Sequence, residues 1–178
     1  MRTLYLTALA TAVILSACET DGGGEYGIAS ESDNDLTGTW SLESGSAEGK
    51  STTIFDGDTI SVDFISTIVD PTVYEITFGG DGTISSEGSV TSQLTYTGNG
   101  VQGSETMTLP NILHNGTFKL IGDELSLYAD NQPPQTVQIL RLDNEYLVIE
   151  AEVTQRQAAG GAENIMSQKA TQTYERVD

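Results

Sequence analysis

Acidic pairs and one histidine are the side chains whose type and spacing could transfer protons. Glu150 and Glu152 are two residues apart, so on a strand they would share one face, as paired carboxylates do in glycoside hydrolysis. His114, the only histidine, comes just before Asn115-Gly116 at a predicted turn. The chain has 26 Asp plus Glu, so such pairs arise by chance, and no nucleophile or phosphate-loop motif accompanies them. We therefore expect no catalytic residues and no enzymatic activity.

The sequence predicts no cofactor and no metal site. A single histidine cannot provide a two-histidine metal site. Asp56-Gly57-Asp58 offers two carboxylates but lacks the further Asp or Asn ligands and the distal Glu of an EF-hand loop. Weak calcium binding at this segment stays open.

Cys18 is the only cysteine, and it ends a short apolar run near the N-terminus. Arg2 supplies a positive charge ahead of that run, and Ser16-Ala17 supply the small residues that a signal-processing site requires. The run is about a dozen residues long, well short of the roughly 20 that a transmembrane helix needs. The pattern is therefore that of a processed signal, either an ordinary secretory one or one in which the cysteine itself takes part.

Leu15-Ser16-Ala17-Cys18 resembles the bacterial lipobox, in which a peptidase cuts before the cysteine and the thiol then carries diacylglycerol. The resemblance implies that residues 1–17 are a lipoprotein signal peptide and that Cys18 is the lipidation site. It also implies an N-acyl chain, and two or more acyl chains are sufficient for stable anchoring. A thiol consumed in this way forms no disulfide.

Residues 18–35 combine glycine, serine and acid without apolar periodicity, which predicts a flexible linker between the lipid and a folded domain. Residues 36–178 are enough for one domain with a sizeable core. Acidic residues soon after the lipidated cysteine resemble the surface-export signals of Bacteroidetes lipoproteins. The resemblance implies the cell envelope, with the outer membrane favoured and the periplasmic or surface side left open.

The charge of the chain limits its partners. The chain has seven Lys plus Arg and 26 Asp plus Glu, which gives a formal net charge of −19. Such a surface repels nucleic acid and anionic headgroups, so we expect neither as a partner. The same charge favours solubility and cationic partners.

Apolar residues alternate with polar ones through most of the domain, which is typical of antiparallel strands with one buried face. The alternation is found at residues 40–42, 60–64, 74–78, 90–96, 107–109, 118–120 and 125–127. Gly122-Asp123 and Asp143-Asn144 are compact hairpin turns, and Pro133-Pro134 lies between strands. The sequence predicts an all-β domain, a single antiparallel barrel of about 8–10 strands.

Several segments resemble lipocalin-like domains. The segment 36–42 contains Gly38-Thr39-Trp40, which resembles the Gly-x-Trp opening of that family. Residues 74–78 followed by Asp81-Gly82-Thr83 resemble its strand and DGT turn, 116–127 its central hairpin and 173–176 its closing strand. Together they span nearly all of 36–178, and the chain is similar to the lipocalin-like lipoproteins of Bacteroidetes.

The resemblance implies roles for particular residues. Trp40 would plug the closed end of the barrel and stack against Arg176, a cation–π contact of about 0.5–2 kcal/mol. The alternative is that Trp40 is simply the largest core residue. Aromatic side chains on predicted inward faces would line a ligand cavity, or would fill a solid core instead. These residues are Tyr74, Phe78, Tyr96, Phe118 and Tyr128.

Two functions follow as expectations. The first is a lipid-anchored binding module whose barrel holds a small apolar or amphipathic ligand. The second is a non-enzymatic structural or interaction module of the cell envelope, with a filled core and an envelope protein as partner. An interior void would favour the first function, and a filled interior would favour the second.

Overall fold

The computed structural model describes residues 35–70, 74–110, 115–129, 134–159 and 161–177. These residues form strands and turns, so the predicted all-β class is confirmed. The strands are β1 (Gly38–Phe55), β2 (Asp58–Asp70), β3 (Glu75–Phe78), β4 (Thr83–Glu87), β5 (Ser89–Gly98), β6 (Val101–Pro110), β7 (Gly116–Ile121), β8 (Glu124–Ala129), β9 (Gln135–Leu142), β10 (Tyr146–Ala159) and β11 (Ala162–Val177). None of the described residues forms a helix long and apolar enough to cross a membrane.

Eight of these strands close into an antiparallel barrel, as predicted. Hydrogen bonds run in the order β1, β3, β4, β7, β8, β9, β10 and β11, and β11 pairs back to β1. The closing pair is the longest ladder, from Thr39 opposite Val177 to Phe55 opposite Ala162. Closure leaves this ring of strands without a free edge.

Strands β2, β5 and β6 lengthen the wall of the barrel at one end. Strand β1 pairs with β3 through Gly38–Ser41 and with β2 through Ser46–Phe55, so β2 and β3 follow one another along the same side of β1. Strand β5 pairs with β2, and β6 pairs with β5. The lengthened half is therefore a curved sheet in the order β6, β5, β2, β1, β11 and β10.

The two ends of the barrel differ. In the lengthened half, residues 151–159 of β10 pair with β11, and the described residues provide no partner on their other side. Strand β6 has β5 as its only partner in the described part of the chain. This half is therefore an open trough between two strand edges. We call it the open half, and we call the end that holds Trp40 the closed end.

The hydrophobic core lies at the closed end. Trp40, Tyr74, Ile76, Leu147 and Tyr174 have no exposed surface there. Burial alternates along the strands. In β3, for example, Ile76 and Phe78 are buried, whereas Glu75 and Thr77 are half-buried. The period of two that predicted the strands thus also selects the core residues.

Tight turns join β1 to β2 and β5 to β6. Both residues of each turn have positive φ. The angles are 52° at Asp56 and 86° at Gly57 in the first turn, and 49° at Asn99 and 75° at Gly100 in the second. This is the type I′ geometry that matches the twist of two-residue hairpins, and Gly, Asn and Asp adopt it most readily. Asp56, within the first turn, and Asp58, directly after it, are both exposed.

Candidate functional site: the closed end and the open half of the barrel

Arg176 stacks on Trp40 at the closed end. The two residues are opposite one another in the ladder between β1 and β11. The guanidinium carbon lies 4.2 Å from the ring centroid of Trp40, within the range of a cation–π contact. The stacking expected from the sequence is thus present in the structure.

The same two side chains hold the segment that leads into the barrel. Trp40 Nε1 donates a hydrogen bond to the Leu36 carbonyl at 2.9 Å. Arg176 donates to the carbonyls of Thr37 and Asp35, at 2.7 Å and 2.5 Å. Residues 35–37 therefore lie fixed across the closed end.

Asp35 completes this contact. The Thr37 hydroxyl and backbone N–H both donate to the Asp35 carboxylate, at 2.6 Å and 2.9 Å. These hydrogen bonds to the charged form, with the Arg176 charge as a smaller contribution, lower the pKa of the Asp35 carboxyl. The first described residues are thus a defined cap, and Asp35, the last residue of the predicted linker, belongs to it.

The predicted cavity residues do not form one group. Tyr74 and Phe78 belong to the core cluster, and Phe118 meets Phe78 edge to face, with ring centroids 5.0 Å apart. Tyr128 alternates with the buried Leu127 on β8 and lies on the outer face, so its predicted inward position is corrected. Tyr96 lies on β5 in the open half, where its ring covers Gly103.

The closed end is filled. A void large enough for water would expose part of the side chains that line it. Tyr74 and Trp40 have 0% exposed surface and Phe78 has 2%. These side chains therefore pack against other atoms on all sides, and they do not border a ligand cavity.

Tyr174 is a buried titratable residue that the sequence placed only in the closing strand. Its hydroxyl donates to Gln172 Oε1 at 3.0 Å. Burial raises the pKa of the Tyr174 hydroxyl well above its ordinary value, and the neighbouring Tyr74 raises it further. The sequence signal for its burial was its spacing from Arg176. Two residues apart on β11, the two side chains share a face and both lie at the closed end.

This raised pKa predicts a loss of stability at alkaline pH. The folded chain keeps the Tyr174 proton at a pH where the unfolded chain, with a tyrosine pKa of about 10, has lost it. The free energy of unfolding should therefore fall above pH ~10, by up to about 1.4 kcal/mol per pH unit. We expect Tyr174→Phe to flatten this fall in urea titrations between about pH 9 and 12. Tyr146→Phe, on the outer face beside Arg141, is the control, and an unchanged slope in Tyr174→Phe would contradict the prediction.

The inner face of the open half is half-buried and mixed in polarity. Its members follow from the register, because Gly45 is opposite Gln172, and Gln172 is opposite the buried Ile149. From there every second residue faces inward. The inner face comprises Gly45, Ala47, Gly49, Ser51 and Thr53 of β1, Asn164, Met166, Gln168, Ala170 and Gln172 of β11, Ile60, Val62, Phe64, Ser66 and Ile68 of β2, and Val153 and Gln155 of β10.

Strand β1 is a narrow floor between two taller walls. A Cβ atom built on Gly49 would lie 2.5 Å from Cζ of Phe64 and 2.9 Å from Cβ of Gln168. One built on Gly45 would lie 2.6 Å from Cδ1 of Ile68 and 3.4 Å from Cγ of Gln172. Glycine is required at both positions because side chains from β2 and β11, and at Gly49 also the Ser167 carbonyl oxygen, already occupy the space of a Cβ atom.

The ion pairs of this half lie on its outer face. Lys169 Nζ lies 2.8 Å from a Glu150 carboxylate oxygen and 3.7 Å from one of Glu152. Arg156 pairs with Glu163 at 2.9 Å. Glu150 and Glu152 share a face, as their spacing predicts, but they are partners of a lysine on an outer surface.

The described residues contain no group of three or more His, Cys, Asp and Glu side chains that could hold a metal ion. His114 lies outside the described residues, as does Cys18. The structure therefore brings no acid–base or metal-ligating set together in the part of the chain that it describes.

Ser92 on β5 is a buried hydroxyl without a hydrogen-bond partner in the described structure. It is 4% exposed and lies between the buried Val90 and Leu94. An unsatisfied buried hydroxyl costs about 1–3 kcal/mol of stability. Sequence reasoning did not identify it, because serine within an alternating strand carries no distinguishing signal.

Removing the Ser92 hydroxyl should stabilise the protein. We expect Ser92→Ala to raise the free energy of unfolding by about 1 kcal/mol, because an unpaired polar group is removed at small cost in volume. Urea denaturation measures the change. Ser104→Ala, at an exposed position on β6, is the matched control and should change stability by less than about 0.5 kcal/mol. A clear loss of stability in Ser92→Ala would show that the hydroxyl is satisfied.

Fold and site together define an eight-stranded antiparallel β-barrel with a filled closed end and an open, half-buried trough at the other. Comparison with protein-family models, curated proteins and solved structures gives no match to this chain. The lipocalin-like resemblance therefore remains an inference from the residues named above.

Proposed function

We propose that this chain is a lipid-anchored lipoprotein of the bacterial cell envelope whose barrel binds a small amphipathic ligand in its open half. The lipidated Cys18 would hold it in the outer membrane, and the linker would separate the barrel from the lipid surface. The proposal names a binding module of lipocalin type and no catalytic reaction.

One observation carries the ligand proposal. Core side chains at the closed end, such as Trp40, are fully buried, whereas Phe64 and Gln168 on the inner face of the open half are half-buried. A concave wall with apolar side chains and a few polar groups is the usual form of a small-molecule site. The stacking of Arg176 on Trp40 supports the lipocalin-like arrangement, in which ligands enter opposite the plugged end.

The filled closed end supports a second function. The chain would then act through its surface, as a structural or interaction module with an envelope protein as partner. Large apolar side chains are exposed at Phe55, Ile65, Ile121 and Leu140, at 57%, 56%, 62% and 53%. They lie on several different strands, so this proposal has less support than the first.

Native mass spectrometry of the protein purified from the envelope of its own host tests both proposals. A bound small molecule that survives purification supports the binding module and identifies the chemistry of the ligand. A clean mass without ligand supports the surface-acting module, and cross-linking in the envelope then identifies its partner.

A further inference from the structure

We infer that the ligand of the open half is an amphiphile without negative charge and with hydroxyl groups along one side, of which a glycoside is the chemical type. The inference rests on the proposed binding function and names its substrate class. It follows from the different chemistry of the two walls that flank β1.

The wall formed by β11 is rich in primary amides. Asn164, Gln168 and Gln172 are on its inner face and are half-buried. The buried Ser51 on the floor donates to Asn164 Oδ1 at 3.2 Å. A primary amide has two N–H donors and an acceptor oxygen, so it matches hydroxyl groups, which both donate and accept. The amides carry no charge, so they provide no opposite charge for an ionised group.

The wall formed by β2 is apolar and continues onto β5. Val62, Phe64 and Ile68 are on its inner face, and Phe64 is directly opposite Tyr96 of β5. Two neighbouring aromatic side chains offer a surface for the C–H face of a sugar ring or for an alkyl chain. Phe64 and Gln168 meet above Gly49, so a ligand there contacts both walls at once.

The basic side chains of the described residues lie elsewhere. Lys50, Arg156 and Lys169 form ion pairs on the outer face, Arg141 pairs with Asp143, Arg176 stacks on Trp40, and Lys119 is exposed next to the inward Phe118. A carboxylate or phosphate in the open half would lose its hydration without gaining a cation. Glu105, opposite the inward Leu94, and the net charge of −19 repel anions further.

Titration calorimetry with two probes tests this selectivity. The protein is the mature chain, residues 18–178, carrying Cys18→Ser, which lacks both the apolar run of the signal and the lipidated thiol. The probes are octyl glucoside below its micellar concentration and octanoate. We expect the dissociation constant for the glucoside to be at least about tenfold lower. Gln168→Leu should raise it about tenfold, and Ser167→Leu, at the exposed neighbouring position on the outer face of β11, should leave it unchanged.

The neutral fluorescent probe N-phenyl-1-naphthylamine separates failure of this inference from failure of the proposed function. If it binds but octanoate binds as tightly as the glucoside, or Gln168→Leu has no effect, the selectivity is wrong and the binding function stands. If none of the three probes binds, both are wrong. Binding of N-phenyl-1-naphthylamine by Gln168→Leu shows that this variant still folds.

Discussion

Replacing Trp40 with alanine is expected to lower the free energy of unfolding by about 3–5 kcal/mol, the range for truncating a large aromatic core residue. The indole has no exposed surface, so its removal leaves a void among residues that already pack on all sides. The loss also removes the hydrogen bond from Nε1 to the Leu36 carbonyl. Urea denaturation followed by circular dichroism measures the change.

A double-mutant cycle with Arg176→Ala separates packing from the cation–π contact. Because the guanidinium lies over the indole ring, the two substitutions should be non-additive by about 0.5–2 kcal/mol. Arg156→Ala, which removes an ion pair on the outer face, is the control and should add to Trp40→Ala independently. If the effects of Trp40→Ala and Arg176→Ala on the free energy of unfolding add like those of the control pair, Trp40 acts only as a core residue.

The closed end could be predicted from the sequence because its signals are local. Alternating apolar residues such as Ile76 and Phe78 select the buried face of a strand wherever that strand lies. The contact between Trp40 and Arg176 was expected from the family resemblance, and the register of β1 and β11 places the two residues opposite one another.

The open half could not be predicted, because its strands lack that contrast. Strand β1 extends over Gly38–Phe55, but its second half alternates small residues such as Gly45 and Gly49 with polar ones such as Glu48. The apolar cover of this floor comes from Phe64 of another strand, which periodicity within β1 cannot reveal. Gly160-Gly161 carries no strand signal in the sequence, yet β10 extends to Ala159 and β11 begins at Ala162.

The predicted inward orientation of the aromatic residues holds for Tyr96 and not for Tyr128. Tyr96 does face inward, but β5 belongs to the lengthened wall, and strand pairing at a distance decides that position. Tyr128 follows Leu127 directly, and both are apolar enough to be buried, so the sequence left the face of β8 ambiguous. The structure resolves it in favour of Leu127, which is 6% exposed.

Substituting Cys18 with serine is expected to release the protein from the membrane fraction and to leave the barrel folded. Each buried methylene contributes roughly 0.8 kcal/mol to membrane binding, so loss of the acyl chains removes on the order of 10 kcal/mol per chain. The described residues begin at Asp35, 17 residues after Cys18, so the packing of the barrel does not depend on the thiol. Fractionation of cells with immunoblotting measures the release, and mass spectrometry of the wild-type N-terminus detects the lipid.

Ser16→Ala is the matched control for this substitution, because it keeps a small residue before the cysteine and should retain processing and lipidation. The circular dichroism spectrum of the released Cys18→Ser protein should match that of the anchored protein. If Cys18→Ser from which residues 1–17 have been removed stays fully membrane-associated after a high-salt wash, the membrane association does not depend on a lipid at this residue. The lipoprotein proposal would then be wrong. The binding function of the open half depends on residues beyond 35, so the probe titrations would still test it.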